Sequence, residues 1–226
     1  MARLARAVFP GLPHHVTQRG NGRAQTFFCD ADYAFYRDLL REHCAAAAVA
    51  VWAWVLMPNH VHLILVPQDS DGLRRALSRI HRAYAGRIHA RLQRTGHFWQ
   101  GRFGCVAMDE QHLHCALRYV ALNPVRAGLV ARAQDWPWSS ASAQLGLDPD
   151  EVTDTAAVAE RMPNFASLLA AAEDEQAIER LRRAESIGRP IGAPHFLDGL
   201  EQGYGRKLRT ARRGPPRREE FSALSP

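Results

Sequence analysis

Two β-rich runs meet at a Pro-Asn turn near residue 58, and this arrangement constrains the fold more than any other feature of the chain. The run Val49–Met57 is apolar and rich in valine and tryptophan, and His60–Val66 follows directly after Pro58-Asn59. Such runs predict two strands joined by the turn. Apolar residues at helical spacing predict a helix on either side, from about Ala31 to Ala48 and from Ser70 or Asp71 to about Gln93.

Two further strands and a third helix complete the pattern. The segment His14–Arg19 alternates and ends at a glycine-rich turn, and Phe98–Met108 predicts the fourth strand. Asp109 then opens a helix that we expect to end near Leu122. The order β-α-β-β-α-β-α predicts an α+β fold of the ferredoxin-like or RRM-like kind, in which two helices cover one face of a small antiparallel sheet. The third helix is an addition to that core.

The remainder of the chain differs in charge from this core. Residues 146–185 are acidic and look helical, whereas Arg206–Arg218 is basic and contains Gly and Pro. We expect a folded unit over 1–145, a helical extension over 146–205 and a basic, disordered tail over 206–226. The four cysteines show no pairing pattern, and no apolar run reaches transmembrane length. These features favour a cytoplasmic protein without a membrane partner.

The motif Pro58-Asn59-His60-Val61-His62 carries the clearest chemical signal. Side chains alternate along a strand, so His60 and His62 project from one face while Val61 enters the other. Two adjacent imidazoles offer a two-nitrogen platform for a divalent metal ion. A bare H-x-H is more often a pair of histidines that are hydrogen-bonded at a sheet surface. A second pair, His112 and His114, falls in the third helix, where residues two apart point in different directions and cannot share a metal ion.

The third helix also offers an amide and a phenol on one face. Its predicted core stripe is Leu113, Leu117 and Val120, and Tyr119 and Asn123 lie off that stripe, one helical turn apart. An amide oxygen can complete a metal site, and a phenol beside a metal ion can act as a nucleophile. Tyr119 alone would read as a tyrosine packed between helix and sheet.

The distribution of arginine indicates a polyanionic partner. All 29 basic residues except Lys207 are arginine, and the formal net charge is +6. Between residues 72 and 105 there are arginines and aromatic residues but no acid, which is typical of a surface that pairs phosphates and stacks bases. A merely solvated helix face would normally interleave acids with its arginines. The predicted DNA contacts are Arg19, Arg23, Arg74, Arg75, Arg79, Arg82, Trp99 and Arg102.

Several ordered motifs resemble the single-tyrosine HUH transposases, and more closely the branch associated with repetitive extragenic palindromes (REP). They are HHVTQRGN, VLMPNHVHLILVP, GHFWQGRF, RYVALNPVRAGLV and WPWSSA. The resemblance covers residues 8–145 densely and continues weakly through IGRPIGAPHFLDGLE. It implies single-stranded or hairpin DNA as the partner and leaves monomer and homodimer open.

The resemblance also implies roles for individual residues. His60 and His62 match the family's histidines that bind Mg²⁺ or Mn²⁺, Tyr119 matches its nucleophile, and Asn123 matches the polar residue that contributes to the metal site. His15 lies near this site by strand order but receives no assigned role. The expected activity is DNA nicking and strand transfer through a 5′-phosphotyrosine. The alternatives are a hairpin-binding protein that does not cut DNA, and a metal-free ferredoxin-like binding module.

Overall fold

The computed structural model describes residues 6–172, 174–205 and 207–209. Most of the basic tail expected over 206–226 lies outside the described residues. The four strands are β1 (His14–Arg19), β2 (Val49–Met57), β3 (His60–Pro67) and β4 (Gly104–Ala107). The helices are α1 (Asp30–Ala46), α2 (Gly72–Leu92), α3 (Glu110–Arg126), α4 (Ala141–Gln144), α5 (Thr155–Arg161), α6 (Phe165–Ala170), α7 (Glu175–Ile187) and α8 (Pro194–Tyr204).

The four strands form one antiparallel sheet in the order β2-β3-β1-β4. The predicted α+β fold with its four-stranded antiparallel sheet is therefore confirmed. In the central pair, Thr17 lies opposite His62 and Arg19 lies opposite His60. This register places the C-terminal end of β1 beside the start of β3, at the end of the sheet where the Pro58-Asn59 turn lies.

Helices α1 and α2 cover one face of the sheet. Val61, Leu63 and Leu65 of β3 are fully buried against them, together with Tyr36 of α1 and Tyr84 of α2. The strand alternates because its backbone is pleated, so the odd-numbered residues of β3 all enter this core. The phenolic oxygen of Tyr84 donates to the carbonyl oxygen of Thr26 at 2.8 Å, which satisfies its buried hydroxyl.

Helix α3 covers the opposite face. Leu113, Leu117 and Val120 are fully buried, as the sequence pattern predicts, and they pack in one cluster with Ile64 and Val66 of β3. The helix begins where the carboxylate of Asp109 accepts from the backbone N–H of His112 at 3.0 Å. The residues of β3 that face α3 are therefore the even-numbered ones, which include His60 and His62.

Two boundaries differ from those predicted. Strand β4 pairs only over Gly104–Ala107, because Gly101 has a φ of 150° and the preceding segment forms bends rather than a ladder. Helix α3 continues beyond Leu122 to Arg126 with Pro124 inside it, and Gly128, whose φ is +68°, follows its C-cap Ala127. The missing N–H of Pro124 costs one helical hydrogen bond without ending the helix, since the N–H groups of residues 127–129 still bond back to it.

The C-terminal extension is helical, as expected, and α7 packs against β1, β4 and α3. A side chain at Gly104 would bring a Cβ to 2.5 Å from Oγ1 of Thr17 and 3.5 Å from the carbonyl oxygen of Glu185. Glycine at this position thus permits the close packing of β4 on β1 beneath α7. Among the described residues, no helix combines the length and the apolar character needed to cross a membrane.

Candidate active site

His60 and His62 lie next to each other on the α3 face of β3. Their ring centroids are 5.0 Å apart and the rings are nearly perpendicular. Nδ1 of His60 lies 2.6 Å from the side-chain oxygen of Asn59, so the residue that precedes the strand orients this imidazole. The second nitrogen of His60, Nε2, is the one that remains for a metal ion.

His62 is oriented by a second histidine from the neighbouring strand. Nε2 of His15 lies 3.0 Å from Nδ1 of His62, and the two rings are stacked. Behind His15, its Nδ1 lies 3.2 Å from a carboxylate oxygen of Glu185 on α7. The result is a continuous line of contacts from Glu185 through His15 to His62.

The protonation of these groups suits a cation. Burial lowers the pKa of His15 to about 3, and burial together with the charge of Arg19 lowers the pKa of His60 to about 4. Burial also lowers the pKa of His62 well below its ordinary value. The imidazoles are thus neutral at physiological pH and keep a lone pair for a metal ion. Burial raises the pKa of Glu185 to about 7, against the opposing charges of Arg182 and Arg19.

Two buried polar atoms in this line are poorly satisfied. Within the described part of the chain, neither Nδ1 of His15 nor Oε1 of Glu185 makes a hydrogen bond of acceptable geometry, although they face each other. Ligand atoms of His15, His62 and Glu185 all lie within 4.8 Å of one another, so this group, which leaves out His60, is a second arrangement that could hold a metal ion. A donor set of two imidazole nitrogens and one carboxylate fits a divalent metal ion, and the nitrogen ligands favour a transition metal such as Mn²⁺ over Mg²⁺.

Tyr119 projects from α3 against the same histidines. Its ring meets His62 edge to face at a centroid distance of 5.2 Å, and it meets His15 at 6.2 Å. Tyr119 is 7% exposed, and Asn123, one turn further along α3, is 8% exposed. The structure therefore brings Tyr119 to the predicted histidine pair and leaves Asn123 on the adjoining, buried turn of the helix.

Three guanidinium groups surround the tyrosine and the histidines. The guanidinium carbons of Arg126 and Arg182 lie 5.5 and 5.4 Å from the centre of the Tyr119 ring. Nε of Arg182 lies 3.5 Å from the phenolic oxygen. Arg19 faces the histidines from β1, where it pairs with His60. A site with so much positive charge around a phenol is suited to an anion such as a phosphate.

The second H-x-H motif behaves as its helical position predicts. Nδ1 of His112 lies 2.6 Å from the Asp109 carboxylate that caps α3. Nε2 of His114 lies 3.8 Å from a carboxylate oxygen of Glu110. The two rings thus face different acids, and this pair is separate from the candidate metal group.

Four of the predicted DNA contacts lie at the end of the sheet where β3 begins with His60, or in the segment leading to β4. They are Arg19, Arg23, Trp99 and Arg102. Arg19 accepts from the N–H of Gln100 through its backbone oxygen, and the backbone oxygen of Arg23 accepts from Asn59. Trp99 is half-buried and donates from Nε1 to the carbonyl oxygen of His81, so its ring is fixed against α2. Arg102 is exposed in the segment between Trp99 and β4.

The other four predicted contacts lie on α2, which covers the face of the sheet opposite to the histidines. Arg74 makes two hydrogen bonds to Asp71, and Arg75 makes two to Asp69. The acids that the helix itself lacks are thus supplied by the preceding turn. Arg79 and Arg82 are exposed, and within the described residues neither has a carboxylate within 4.0 Å. The structure does not bring any of the four to the candidate active site.

Sequence reasoning missed Glu185 and Arg182 and gave His15 no role. His15 follows His14 on a predicted strand, and its alternation with Thr17 and Arg19 already puts it on the face of His62. Glu185 stands on the apolar stripe of α7, where Ala177, Ile178, Leu181 and Ala184 are buried. An acid on an apolar stripe is a usable signal, but its partner His15 is 170 positions away and cannot be identified from local spacing.

The sequence model of the family described as Transposase IS200 like matches residues 9–123, which are 115 of the 226 residues. This chain belongs to the family of IS200-like transposases. Among the relatives of this chain, the REP-associated tyrosine transposase of Escherichia coli (strain K12) is 28% identical over 91 residues, 39% of this chain and 52% of that protein. A relative from Haemophilus influenzae, provisionally given the same designation, is 24% identical over 116 residues, 46% of this chain and 66% of that protein.

A solved structure extends the comparison to the fold. A REP-associated tyrosine transposase bound to a REP hairpin superposes with a TM-score of 0.55 at 24% identity, over 68% of this chain and 94% of that one. The expected similarity to the REP-associated branch is confirmed, and the solved structure has the same fold. The chain spans between about half and two thirds of the length of the two curated relatives.

Proposed function

We propose that this chain nicks single-stranded DNA and transfers the cut strand in a metal-dependent reaction, at palindromic repeats that form hairpins. The observation that carries the proposal is the edge-to-face contact between Tyr119 and His62, which joins a phenol on α3 to a histidine pair on β3. A buried phenol beside neutral imidazoles and arginines has the composition expected of a phosphate-attacking nucleophile.

In this proposal His60 and His62 hold Mg²⁺ or Mn²⁺, with Asn123 contributing an oxygen. The ion would supply charge neutralisation and orientation of the scissile phosphate. The Tyr119 oxygen attacks phosphorus, the bond from phosphorus to the 3′ oxygen breaks, and the phenolic proton passes to solvent. The products are a 5′-phosphotyrosine and a free 3′-OH. Because the phosphotyrosine retains the energy of the broken ester, a second 3′-OH can attack it and complete strand transfer.

The choice of a DNA hairpin as substrate is supported by two observations. A solved relative with the same fold is bound to a REP hairpin, and the present chain presents exposed arginines on α2 and, at Arg23, shortly after β1. The predicted contacts at Arg19, Arg23, Arg79 and Arg82 would pair with backbone phosphates, which gives salt-sensitive binding.

A second candidate function has an observation of its own. Tyr119 is 7% exposed and His62 is 3% exposed, so the chemical groups are covered in this conformation. A hairpin-binding protein that derives from a transposase but does not cut DNA could function with these side chains buried. Cleavage instead requires DNA to displace some of the side chains that cover the phenol.

We further propose that residues 1–145 form the nuclease unit and 146–205 a helical extension, with a basic tail after it. Unlike a simple appendage, this extension contributes Glu185 to the line of contacts behind His62. Homodimerisation stays a prediction, to be tested by light scattering with and without DNA.

The experiment uses single-stranded oligonucleotides that carry palindromes from beside the protein's own gene, incubated with Mn²⁺ or Mg²⁺. On a denaturing gel we expect a covalent protein–DNA adduct, and the released 3′ end maps the cut. Tyr119→Phe is expected to abolish the adduct, because it removes the attacking oxygen and little else. Tyr204→Phe, at a tyrosine that is 40% exposed, is the matched control and retains the adduct.

The same assay separates the two candidate functions. Hairpin binding with no adduct in either metal would establish the non-cleaving protein. An adduct that persists in Tyr119→Phe would show that another residue is the nucleophile and would contradict the proposed chemistry.

A further inference from the structure

Arg182 reaches the candidate nucleophile from α7, a helix that lies outside the residues matched by the family model. Its Nε lies 3.5 Å from the phenolic oxygen of Tyr119, and its guanidinium carbon lies 5.4 Å from the centre of the ring. The matched segment ends at residue 123, whereas α7 begins at Glu175. A positive charge 3.5 Å from the phenolic oxygen thus comes from the C-terminal extension.

The neighbourhood of Arg182 is that of the reacting groups. Glu185, three residues further along the same helix, lies 3.2 Å from Nδ1 of His15, so α7 carries Arg182 beside the contacts behind His62. Arg126, from the end of α3, stands 5.5 Å from the same tyrosine ring. The phenol is therefore flanked by guanidinium groups from two helices.

Helix α7 is fixed well enough to hold this geometry. Asp174 caps its N-terminus by accepting from the N–H of Ala177 at 2.9 Å, and Gly188 ends it with a φ of +68°. Leu181, the residue before Arg182, is 1% exposed. The backbone that carries Arg182 is thus positioned before DNA arrives, which favours electrostatic stabilisation of a transition state.

We propose that Arg182 is a catalytic residue that binds the scissile phosphate during attack by Tyr119; this inference rests on the proposed function. A phosphorus atom that reacts with the phenolic oxygen must approach it, so its non-bridging oxygens come within reach of a guanidinium 3.5 Å from that oxygen. The bond from the Tyr119 oxygen to phosphorus forms, the bond to the 3′ oxygen breaks, and the leaving oxygen takes a proton from solvent. Arg182 offers hydrogen bonds to the phosphate oxygens throughout and exchanges no proton.

The test replaces the scissile phosphate by an uncharged methylphosphonate. The cut is first mapped with the wild-type protein, and oligonucleotides with either linkage at that position are then compared in single-turnover adduct formation. We expect Arg182→Gln to slow the reaction of the phosphate about 100-fold. On the methylphosphonate, where no charge remains to be neutralised, the variant should react within about tenfold of the wild-type rate.

One control variant lies elsewhere on α7, and the other is a conservative substitution of Arg182 itself. Arg180→Gln removes an equal charge two residues away, on the other side of α7, and should react like the wild type on both substrates. Arg182→Lys keeps the charge without the planar fork and should be intermediate. It also provides the same substrate comparison if Arg182→Gln unfolds in a thermal melt.

Each outcome bears on a distinct statement. Arg182 variants that form adduct at the wild-type rate would overturn the inference, and so would variants slowed equally on both linkages, since that indicates only a structural role. If the wild-type protein forms no adduct with any hairpin, the proposed function fails, and the inference fails with it.

Discussion

His62 is the residue on which the candidate active site converges. One ring nitrogen of His62 faces His15. The ring of His62 is nearly perpendicular to the rings of both Tyr119 and His60 and contacts each of them. A histidine that binds a metal ion usually has its other nitrogen held by a second group, and in carboxylate–histidine pairs this group fixes the ring and strengthens the ligand. Here that role falls to His15, which is backed in turn by Glu185.

This arrangement predicts that metal binding depends on His60 and His62 of β3 and not on histidines elsewhere in the protein. Mn²⁺ should raise the melting temperature of the wild-type protein, because an ion that binds only the folded state stabilises it. In His62→Ala and His60→Ala the rise should be lost, since each removes a nitrogen ligand. The measurement is a thermal melt with EDTA or with increasing Mn²⁺.

A histidine outside the site supplies the control for this experiment. His114→Ala removes one member of the helical H-x-H motif and should keep the full shift with Mn²⁺. A shift of the same size in His62→Ala and in the wild-type protein would show that the ion binds elsewhere.

At the scale of the element, α2 carries arginines of two kinds. Arg74 and Arg75 are paired with acids of the preceding turn, whereas Arg79 and Arg82 are exposed without such partners among the described residues. An arginine already paired with a carboxylate must give up that pair before it can neutralise a phosphate. We therefore expect Arg79→Gln combined with Arg82→Gln to weaken hairpin binding and to lower the salt slope by about 2.

The paired arginines provide the comparison on the same helix. Arg74→Gln combined with Arg75→Gln removes the same charge and should change the salt slope by clearly less. Binding isotherms of a hairpin oligonucleotide at several salt concentrations measure both slopes. Equal losses in the two double variants would mean that the ion pairs do not distinguish these arginines.

Elements with a local signal were predictable, and those fixed by distant contacts were not. The alternation of β3 was enough to put His60 and His62 on one face, and the spacing of α3 was enough to put Tyr119 and Asn123 on adjoining turns. The length of β4 depends on how far β1 continues to pair with it, which no local pattern records. The contact of Glu185 with His15 depends on the packing of α7 across β1 and β4, so the sequence alone could not provide it.

At the scale of the whole molecule, buried histidines make the fold sensitive to acid. Burial lowers the pKa of His14 to about 4 and those of His15 and His81 to about 3. Below pH 6.5 the unfolded chain binds protons at these residues and the native protein does not, so stability falls as pH falls. Glu185 acts in the opposite direction with one proton, because its pKa is raised to about 7.

The pKa values of His60 and His62 are lowered as well, so five histidines stand against one carboxyl and the net difference is about four protons. We expect a loss on the order of 5 kcal/mol per pH unit below pH 6. Urea unfolding in EDTA at pH 7.5, 6 and 5 measures the slope. His81→Gln should flatten it, whereas His195→Gln, at an exposed position, should leave it unchanged. A free energy of unfolding that stays constant between pH 7.5 and 5 would contradict the prediction.

The sheet stands between α2 and Tyr119, and this has a geometric consequence for a nucleic acid that uses both. A DNA strand anchored on the arginines of α2 reaches Tyr119 by passing around the end of the sheet where β1 ends, near Arg19 and Arg23. A helix layer and a sheet layer together are roughly 20 Å thick. The thickness of the protein would then set the length of DNA between the arginines of α2 and Tyr119. The cut would therefore fall at a set number of nucleotides from the foot of the hairpin, whatever bases lie between.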